Sequence, residues 1–574
     1  MRLQQNDILV FLSNATENSA DISSMTRFFS LTRKKQRRLI KLLRELRQEG
    51  KIEKIKGRYY RLRREGWSGE KVKKPEERTE RKKFYNEDEL LKVYQIQTEF
   101  NPRTLAELDH LPSPIEDLRG MRLDLRSEKC FTIDPAEARD HDDAVSIRRT
   151  GEREIELGVH IADVSFYVKE NSSLDKTAFQ RGTSLYLPTR VIPMLPEKLS
   201  NDLCSLTPGS PKLTLSCIMT ITEDGQVKRY RIVPTLIESK ANLTYEDVEK
   251  ILDQGDQTHP LYSELKEMLA LSEILRNKKL ARGAIDLEIP EPQFKFNAQG
   301  EVESIALKKR LKSHRLIEEF MLMANETVTR HMKQRSFLYR VHDQPDPEKI
   351  HHLIEFLKSI HFPYKVGLPL TPKKFQKIIE KASGTPFHYL VNDTVLRSLK
   401  KAEYSHENIG HFGLACPYYT HFTSPIRRYP DLVVHRHLKS ALKISALQDG
   451  SLEHLRVIGK QTSERERVAL EVEREAIKFR QVEFISGKLG EIYYGVIAGI
   501  IRIGFFVMID ENLVEGLVLK RYLKDGFYWF DEKRQQLVGE QSGRIFKIGD
   551  RVKVQVARVD RAARKIDFEL LEKL

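Results

Sequence analysis

The sequence predicts a multidomain α+β protein with an N-terminal winged helix, a large mixed α/β domain and a C-terminal OB-fold β-barrel. Three observations predict this class. A basic run of helices ends in a hairpin near the N-terminus, apolar residues switch between helical and strand spacing through the middle, and short strands punctuated by glycine fill the last part. The 574 residues leave room for about three or four domains.

The composition excludes a membrane-spanning or disulfide-rich secreted protein. No apolar run approaches the roughly 18 residues that a membrane span needs, and the N-terminus lacks the apolar core of a secretory signal. The four cysteines, Cys130, Cys204, Cys217 and Cys416, are widely spaced without a Cys-x-x-Cys pair, so neither zinc nor disulfides are expected. Reduced core cysteines suit a cytoplasmic protein without a membrane partner.

The charge of the chain indicates a polyanionic partner. The net charge is +15, and residues 32–83 alone carry 22 Lys or Arg against 8 acids, so most of the excess lies near the N-terminus. A basic stretch of this kind favours nucleic acid over a membrane surface as the partner.

Residues 1–64 have the pattern of a winged helix. Lys35–Glu49 is amphipathic with apolar residues at helical spacing, Gly50 ends it, and Lys51–Leu62 has the pattern of a basic hairpin. This layout is typical of nucleic-acid-binding modules, and a basic protein-interaction domain is the alternative. Residues 65–84 are polar and charged, and we interpret them as a flexible basic linker.

Residues 85–485 are predicted to form one mixed α/β domain with its core at 119–445 and a long strut helix at its end. Glu154–Ile161 alternates apolar and polar residues, which is typical of a half-buried strand. The loop Thr423–Pro430 contains two prolines and holds two adjacent arginines in front of a helix.

Residues 486–574 have the pattern of an OB-fold barrel, because short strands alternate with glycines. Phe505 and Phe506 lie on one of these strands. Exposed aromatic rings on such a barrel stack on unpaired bases, and buried ones belong to its core. The sequence leaves both interpretations open for these two residues.

Four aspartates, Asp134, Asp140, Asp142 and Asp143, fall within ten residues between two short apolar runs. We therefore expect them on a loop between strands. Carboxylates this close repel one another, and a hard divalent cation such as magnesium would neutralise them while leaving positions open for water and phosphate. The alternative is an acidic turn without a ligand. The spacing does not fit an EF-hand calcium loop.

Several blocks in the centre of the chain resemble one enzyme family. They include Thr132–Val145, Gly158–Val168, Arg181–Pro188, Leu316–Asn325 and Tyr419–Asp431. With them, the central domain resembles the RNB catalytic domain of the ribonuclease II and ribonuclease R family of 3′-to-5′ exoribonucleases. The C-terminal part is similar to the S1-type OB fold of this family, and the N-terminal part is similar to the winged helix of its ribonuclease R branch.

One departure from the family concerns the region before the catalytic domain. Family members usually carry two cold-shock-type OB folds there, but residues 65–118 are too few to form them. We hypothesise that the winged helix and the basic linker supply the electrostatic entry for RNA instead.

The resemblance implies a processive, monomeric exoribonuclease that hydrolyses single-stranded RNA to nucleoside 5′-monophosphates with two magnesium ions, or with manganese in their place. It implies that Asp134 and Asp143 hold the first ion, and that Asp140 and Asp142 help to hold the second and orient the attacking water. Arg427 would contact the scissile phosphate and stabilise the charge that grows on it.

The resemblance also implies contacts with the 3′ end of the RNA. Tyr186 would stack on a base there and set the final product length. Tyr245 and Glu318 would read the terminal ribose, whose 2′-hydroxyl separates RNA from DNA. The sequence does not decide between Glu318 and its neighbour Glu319 for this role.

Further contacts are expected along the path of the RNA. Arg428 would bind either a flanking phosphate or a structural acid, and His342 and Tyr339 would line the channel by stacking. His141, inside the acidic loop, is interpreted as a loop residue and not as a ligand.

Two other functions stay open at this point. A catalytically inactive RNA-binding regulator is one, although the presence of all four aspartates and of Arg427 argues against it. A nuclease that acts on DNA is the other, since winged helices commonly bind DNA. Matched RNA and DNA oligonucleotides would separate them.

Overall fold

The computed structural model describes residues 19–22, 33–54, 59–62, 84, 86–112, 122–363, 367–385, 387–447, 450–532 and 534–574, with the single residues 5, 8, 12 and 25. The chain divides into two compact units, residues 1–82 and 83–574. Each unit has its own hydrophobic core.

The first unit combines a long helix with a three-stranded sheet. Its elements are β1 (Ser19–Asp21), α1 (Arg33–Gln48), β2 (Ile52–Lys54) and β3 (Tyr59–Leu62), and the strands pair in the order β1-β3-β2. Leu39, Leu43 and Leu46 on one face of α1 are fully buried, as their helical spacing predicts. The predicted shorter helices and the glycine turn of the hairpin fall mostly outside the described residues, so the winged helix stays a prediction.

Two short helices, α2 (Glu87–Val93) and α3 (Pro102–Glu107), open the second unit. The side chain of Asn86 caps α2 by accepting a hydrogen bond from Glu89 N, and Asn101 caps α3 in the same way. Within the described range 86–112 there is no strand, so no part of a cold-shock barrel lies in that range.

A five-stranded sheet forms the centre of the second unit. The strands of this half are β4 (Leu123–Asp124), β5 (Thr132–Asp134), β6 (Asp143–Gly151), β7 (Glu154–Ala162), β8 (Leu185–Tyr186), β9 (Val191–Ile192), β10 (Pro211–Thr222), β11 (Val227–Glu238) and β12 (Asn242–Thr244). The central order is β4-β11-β10-β7-β6, while β5 pairs with β12 and β8 with β9. In β7 the alternate residues from Ile155 to Ile161 are buried, which confirms the predicted strand.

Helices pack on this sheet and extend beyond it. They are α4 (Val164–Tyr167), α5 (Ser173–Arg181), α6 (Tyr245–Gln254), α7 (Tyr262–Arg282), α8 (Lys312–Met332), α9 (Pro347–Ser359), α10 (Pro372–Ala382), α11 (His388–Ser398), α12 (Tyr429–Ala441) and α13 (Leu452–Ser486). Two antiparallel strand pairs lie between these helices along the chain: β13 (Pro292–Phe296) with β14 (Val302–Leu307), and β15 (Tyr339–Val341) with β16 (Glu403–Ser405). The predicted strut corresponds to α13, and the two-proline loop leads into α12, whose first turn contains Pro430.

The C-terminal part is a β-barrel with an inserted sheet. Its strands are β17 (Ile492–Ile501), β18 (Gly504–Ile509), β19 (Glu515–Leu519), β20 (Tyr528–Asp531), β21 (Gln536–Gly539), β22 (Ile545–Lys547), β23 (Arg551–Asp560) and β24 (Lys565–Lys573). Strands β17-β18-β19-β24-β23 pair as a closed barrel, and β20-β21-β22 form the insertion. Across the residues described, no helix is both long and apolar enough to cross a membrane.

Candidate active site

The four aspartates lie on a loop whose two ends are fixed by strands. Asp134 ends β5, which pairs in parallel with β12, and Asp143 begins β6 at the edge of the central sheet. Ser205 holds the loop between them, because its Oγ donates to Arg139 O at 2.7 Å and accepts from His141 N at 3.1 Å. The expected loop between strands is therefore present, and its backbone is anchored by β5, by β6 and by Ser205.

Asp142 joins this loop to the two-proline loop in front of α12. Its side chain is 3% exposed, its Oδ1 accepts a hydrogen bond from Ile426 N at 2.8 Å, and its Oδ2 lies 3.4 Å from Arg427 Nε. Within the described residues, Asp142 Oδ2 has no hydrogen-bond partner. Arg427 also donates to Ser424 Oγ at 2.9 Å, yet its side chain stays 40% exposed, so its guanidinium remains accessible to a ligand.

The acidic loop is a partly buried cluster of carboxyl groups, of which Asp142 is the most buried. Burial raises the pKa of Asp140 and raises that of Asp142 well above its ordinary value, although Arg427 opposes the shift in both. Burial, together with the charge of Asp134, raises the pKa of Asp143 to about 7. Carboxyl groups with such shifts favour a nearby cation, because the cation removes the repulsion that disfavours their charged forms.

The donor set fits a hard divalent cation, but its side chains do not form a closed cage. Carboxylate oxygens are the ligands that magnesium prefers, and Asp142 Oδ2, which accepts no hydrogen bond from the described residues, is one such oxygen. Among the described residues, however, no three His, Cys, Asp or Glu side chains converge as metal ligands. His141 Nδ1 lies 2.7 Å from Asp134 Oδ2, within this cluster.

Tyr186 lies on the hairpin formed by β8 and β9, beside the two-proline loop, which we call the arginine loop because it holds Arg427. Two hydrogen bonds tie the hairpin to Arg427, because Thr183 Oγ1 and Ser184 N both donate to its carbonyl oxygen, at 3.1 Å and 2.9 Å. The backbone N–H of Tyr186 donates to Glu473 Oε1 on α13 at 2.9 Å, and its side chain is 40% exposed. The hairpin therefore presents this ring next to Arg427.

Tyr245 and Glu318 share a cavity of about 900 Å³. Tyr245 begins α6 directly after the strand that pairs with Asp134, and its ring stacks on His314 with the centroids 3.9 Å apart. Glu318 is half-exposed there and pairs with Arg310 at 2.6 Å, whereas Glu319 is buried against Lys279. Of the two adjacent glutamates, only Glu318 lines the cavity with Tyr245.

The structure corrects the expected RNA contact, or decides between the interpretations left open, for four residues: Phe505, Tyr339, His342 and Arg428. Phe505 is fully buried and stacks on Phe546 inside the barrel, so it is a core residue, and the neighbouring Phe506 is half-buried. Tyr339 is 5% exposed and packs edge-on against a core phenylalanine. Of the two interpretations left open for Phe505, the core one therefore holds, and the expectation that Tyr339 lines the channel by stacking is wrong.

His342 and Arg428 make structural contacts within the protein. His342 is buried, its Nδ1 accepts from Gly413 N at 2.8 Å and its Nε2 lies 2.8 Å from Lys400 O, so both ring nitrogens are occupied and it does not line a channel. Arg428 donates to Asp431 Oδ1 at 2.7 Å, which corresponds to the structural acid among its two expected partners.

Sequence reasoning missed a contact between helix α2 and the hairpin that carries Tyr186. Glu87 accepts from Thr189 Oγ1 and pairs with Arg480 Nε at 3.0 Å, and Asp88 pairs with Arg190. Residues 85–118 suggested only a helix and loops. The acidic first turn of α2 was the one available signal, and it is equally typical of any helix N-terminus.

Comparisons with known proteins identify both parts of the second unit. Residues 122–444 match the RNB domain, and residues 487–571 match the S1 RNA binding domain. Ribonuclease R of Aquifex aeolicus (strain VF5) is 42% identical over 503 residues, which cover 86% of this chain and 71% of that protein.

Two solved structures have the same fold. The structure of Mycoplasma genitalium RNase R in complex with ribose methylated single-stranded RNA is 29% identical with a TM-score of 0.80, covering 84% of this chain and 77% of that one. The same protein in complex with double-stranded RNA is 27% identical with a TM-score of 0.75, covering 84% of this chain and 82% of that one.

Replacing Asp431 by Asn should destabilise the second unit strongly. Asp431 is fully buried and accepts from both Arg428 and Ser424 N, so the change leaves a largely buried guanidinium without its acid. We expect the free energy of unfolding to fall by about 3 kcal/mol, measured by urea denaturation. Glu453→Gln breaks the exposed pair with Arg456 and serves as the control, with a much smaller change, because solvent screens an exposed ion pair. Equal effects of the two changes would contradict a structural role for Asp431.

Proposed function

The chain belongs to the RNB-domain family of ribonuclease II and ribonuclease R exoribonucleases, and from that premise we propose the reaction and the residues that perform it. The reaction is the processive 3′-to-5′ hydrolysis of single-stranded RNA to nucleoside 5′-monophosphates, with magnesium or manganese at the acidic loop. The contact of Asp142 with Ile426 and Arg427 carries the proposal, because it joins the acidic loop to the arginine loop. The protein acts as a cytoplasmic monomer.

Four carboxylates bind the metal in this proposal. Asp134 and Asp143 would hold one ion, and Asp140 and Asp142 would help to hold a second and orient the attacking water. Bound divalent metal supplies an activated water and a Lewis acid for the leaving oxygen. The raised pKa of Asp143, to about 7, supports a cation there, since a nearby positive charge restores its ionised form.

Arg427 and Tyr186 act on the RNA. The exposed part of the Arg427 guanidinium binds the scissile phosphate and stabilises the negative charge that grows in the transition state. Tyr186 stacks on a base near the 3′ end. Water attacks the last phosphorus, the O3′ of the preceding nucleotide leaves, and the released nucleotide keeps its 5′-phosphate.

Glu318 and Tyr245 read the ribose of the terminal nucleotide. Both line one cavity, and Glu318 offers carboxylate oxygens that accept a hydrogen bond from a 2′-hydroxyl. Arg310 neutralises part of this charge and holds the carboxylate in place. This pair is therefore expected to favour RNA over DNA.

A catalytically inactive RNA-binding regulator is the alternative function. All four aspartates and Arg427 are present, and Asp142 keeps its contacts with the arginine loop, which argues against loss of activity. An active wild-type protein excludes this alternative directly.

We expect Asp142→Asn to abolish hydrolysis while RNA binding stays near the wild-type level. Asparagine can still accept the Ile426 N–H, but it loses the negative charge beside the metal. The rate of hydrolysis, followed with a 5′-labelled RNA and magnesium, should fall at least about a hundredfold. Asp109→Asn, which alters an exposed aspartate 77% accessible at its side chain, is the control and should keep full activity. Wild-type turnover by Asp142→Asn would remove this residue from the mechanism.

Glu318→Ala should weaken the preference for RNA. The ratio of kcat/KM for matched RNA and DNA oligonucleotides is expected to fall at least about tenfold, because the contact with the 2′-hydroxyl is lost. Glu288 lines the same cavity and pairs with Arg315, so Glu288→Ala is the matched control and should keep the ratio. An unchanged ratio in Glu318→Ala, or an equal fall in both variants, would exclude this carboxylate as the ribose reader.

Deleting residues 1–82 should weaken RNA binding and its dependence on salt. The cut precedes Phe84, because that ring is buried in the core of the second unit. Fewer phosphate contacts mean fewer released counterions, so the slope of log affinity against log salt becomes shallower. Titrations of a single-stranded RNA at several salt concentrations measure this, and an unchanged affinity and slope would refute a role of the N-terminal unit in RNA delivery.

A further inference from the structure

A second cavity lies behind the hairpin that carries Tyr186. It has a volume of about 180 Å³, far above the roughly 10–15 Å³ that one water molecule needs. Its floor is formed by buried residues, among them Arg181 and Leu185, and three exposed glutamines, Gln95, Gln97 and Gln180, surround its mouth. We call it the arginine cavity, because Arg181 and Arg465 both line it.

Arg181 carries a buried positive charge, and among the described residues no carboxylate forms an ion pair with it. The residue is 7% exposed, its two Nη atoms donate to the carbonyl oxygens of Pro193 and Glu99 at 2.7 Å each, and its guanidinium stacks on Phe100. Burial alone lowers its pKa to about 10, so it stays charged at neutral pH. Carbonyl dipoles satisfy its N–H groups without neutralising it.

The other described residues that line the cavity add to this uncompensated positive charge. Among the described residues that line the cavity there is no Asp or Glu. Arg465 on α13 contributes a second guanidinium, and in this part of the structure the Nε atoms of both arginines are buried without a hydrogen-bond partner. Two positive charges and glutamine amides at the mouth are groups that bind a small anion with several acceptor oxygens.

We propose that the arginine cavity binds a phosphate group. Guanidinium groups bind phosphate and carboxylate alike, and the choice of phosphate rests on the proposed function, in which the chain handles phosphate esters. The position of the cavity agrees with this choice, because Thr183 lines it and donates to the carbonyl oxygen of Arg427. Free phosphate, the 5′-phosphate of a released nucleotide and a backbone phosphodiester are three possible sources of the group.

Isothermal titration calorimetry on the full chain with EDTA tests the proposal without any catalytic step. The ligands are inorganic phosphate, adenosine 5′-monophosphate and dimethyl phosphate, with acetate at equal ionic strength as the carboxylate. We expect saturable binding of at least one phosphate ligand, weakened at least about tenfold by Arg465→Gln and unchanged by Arg467→Gln. Arg467 lies on the same helix, is exposed and does not line the cavity, so it is the matched control.

The ligand that loses affinity in Arg465→Gln identifies the source of the phosphate. Gln97→Glu, which adds a negative charge at the mouth, should weaken the same ligand and decides the matter if Arg465→Gln does not fold. No saturable binding of any phosphate ligand, equal binding of acetate, or equal affinity in Arg465→Gln and Arg467→Gln would overturn the proposal. Because the experiment does not measure RNA hydrolysis, a negative result would refute the phosphate site without bearing on the proposed exoribonuclease activity.

Discussion

The site depends on one buried carboxylate. Asp142 accepts the N–H of Ile426 and faces Arg427, so two loops separated by 284 positions in the chain meet at its side chain. A buried carboxylate with an unpaired oxygen is unfavourable unless positive charge lies close to it. Arg427 supplies part of that charge, and the raised pKa of the neighbouring Asp143 indicates that more is needed. A divalent cation is therefore an expected component of the folded site.

The contacts extend from this carboxylate to the part of the chain that departs from the family. The carbonyl oxygen of Arg427 accepts hydrogen bonds from the hairpin that presents Tyr186. Helix α2 holds the other side of that hairpin through Glu87 and Asp88. Helix α2 thus supports the hairpin of Tyr186, for which we propose contact with RNA.

The sequence predicted the parts of the site that local motifs specify, and it failed where burial depends on distant packing. The acidic loop and the arginine loop were recognisable because their spacing and prolines are local features. Phe505 and Phe506 are adjacent on β18, so they point to opposite faces, and only the packed barrel decides which face is the core. Glu318 and Glu319 are likewise adjacent on α8, and only the packing against other helices decides that Glu319 is buried and Glu318 is half-exposed. Arg428 pairs with Asp431 in the first turn of the following helix, and the sequence alone does not decide between such a structural acid and a flanking phosphate as its partner.

A timed digestion of a 5′-labelled RNA with a hairpin and a single-stranded 3′ tail tests the central claim most directly, namely that these loops form one metal-dependent exonuclease site. The account predicts labelled products that shorten progressively from the 3′ end, with release of nucleoside 5′-monophosphates, and only when magnesium or manganese is added. Cleavage at internal positions, products with a 3′-phosphate, or full activity in EDTA would contradict it.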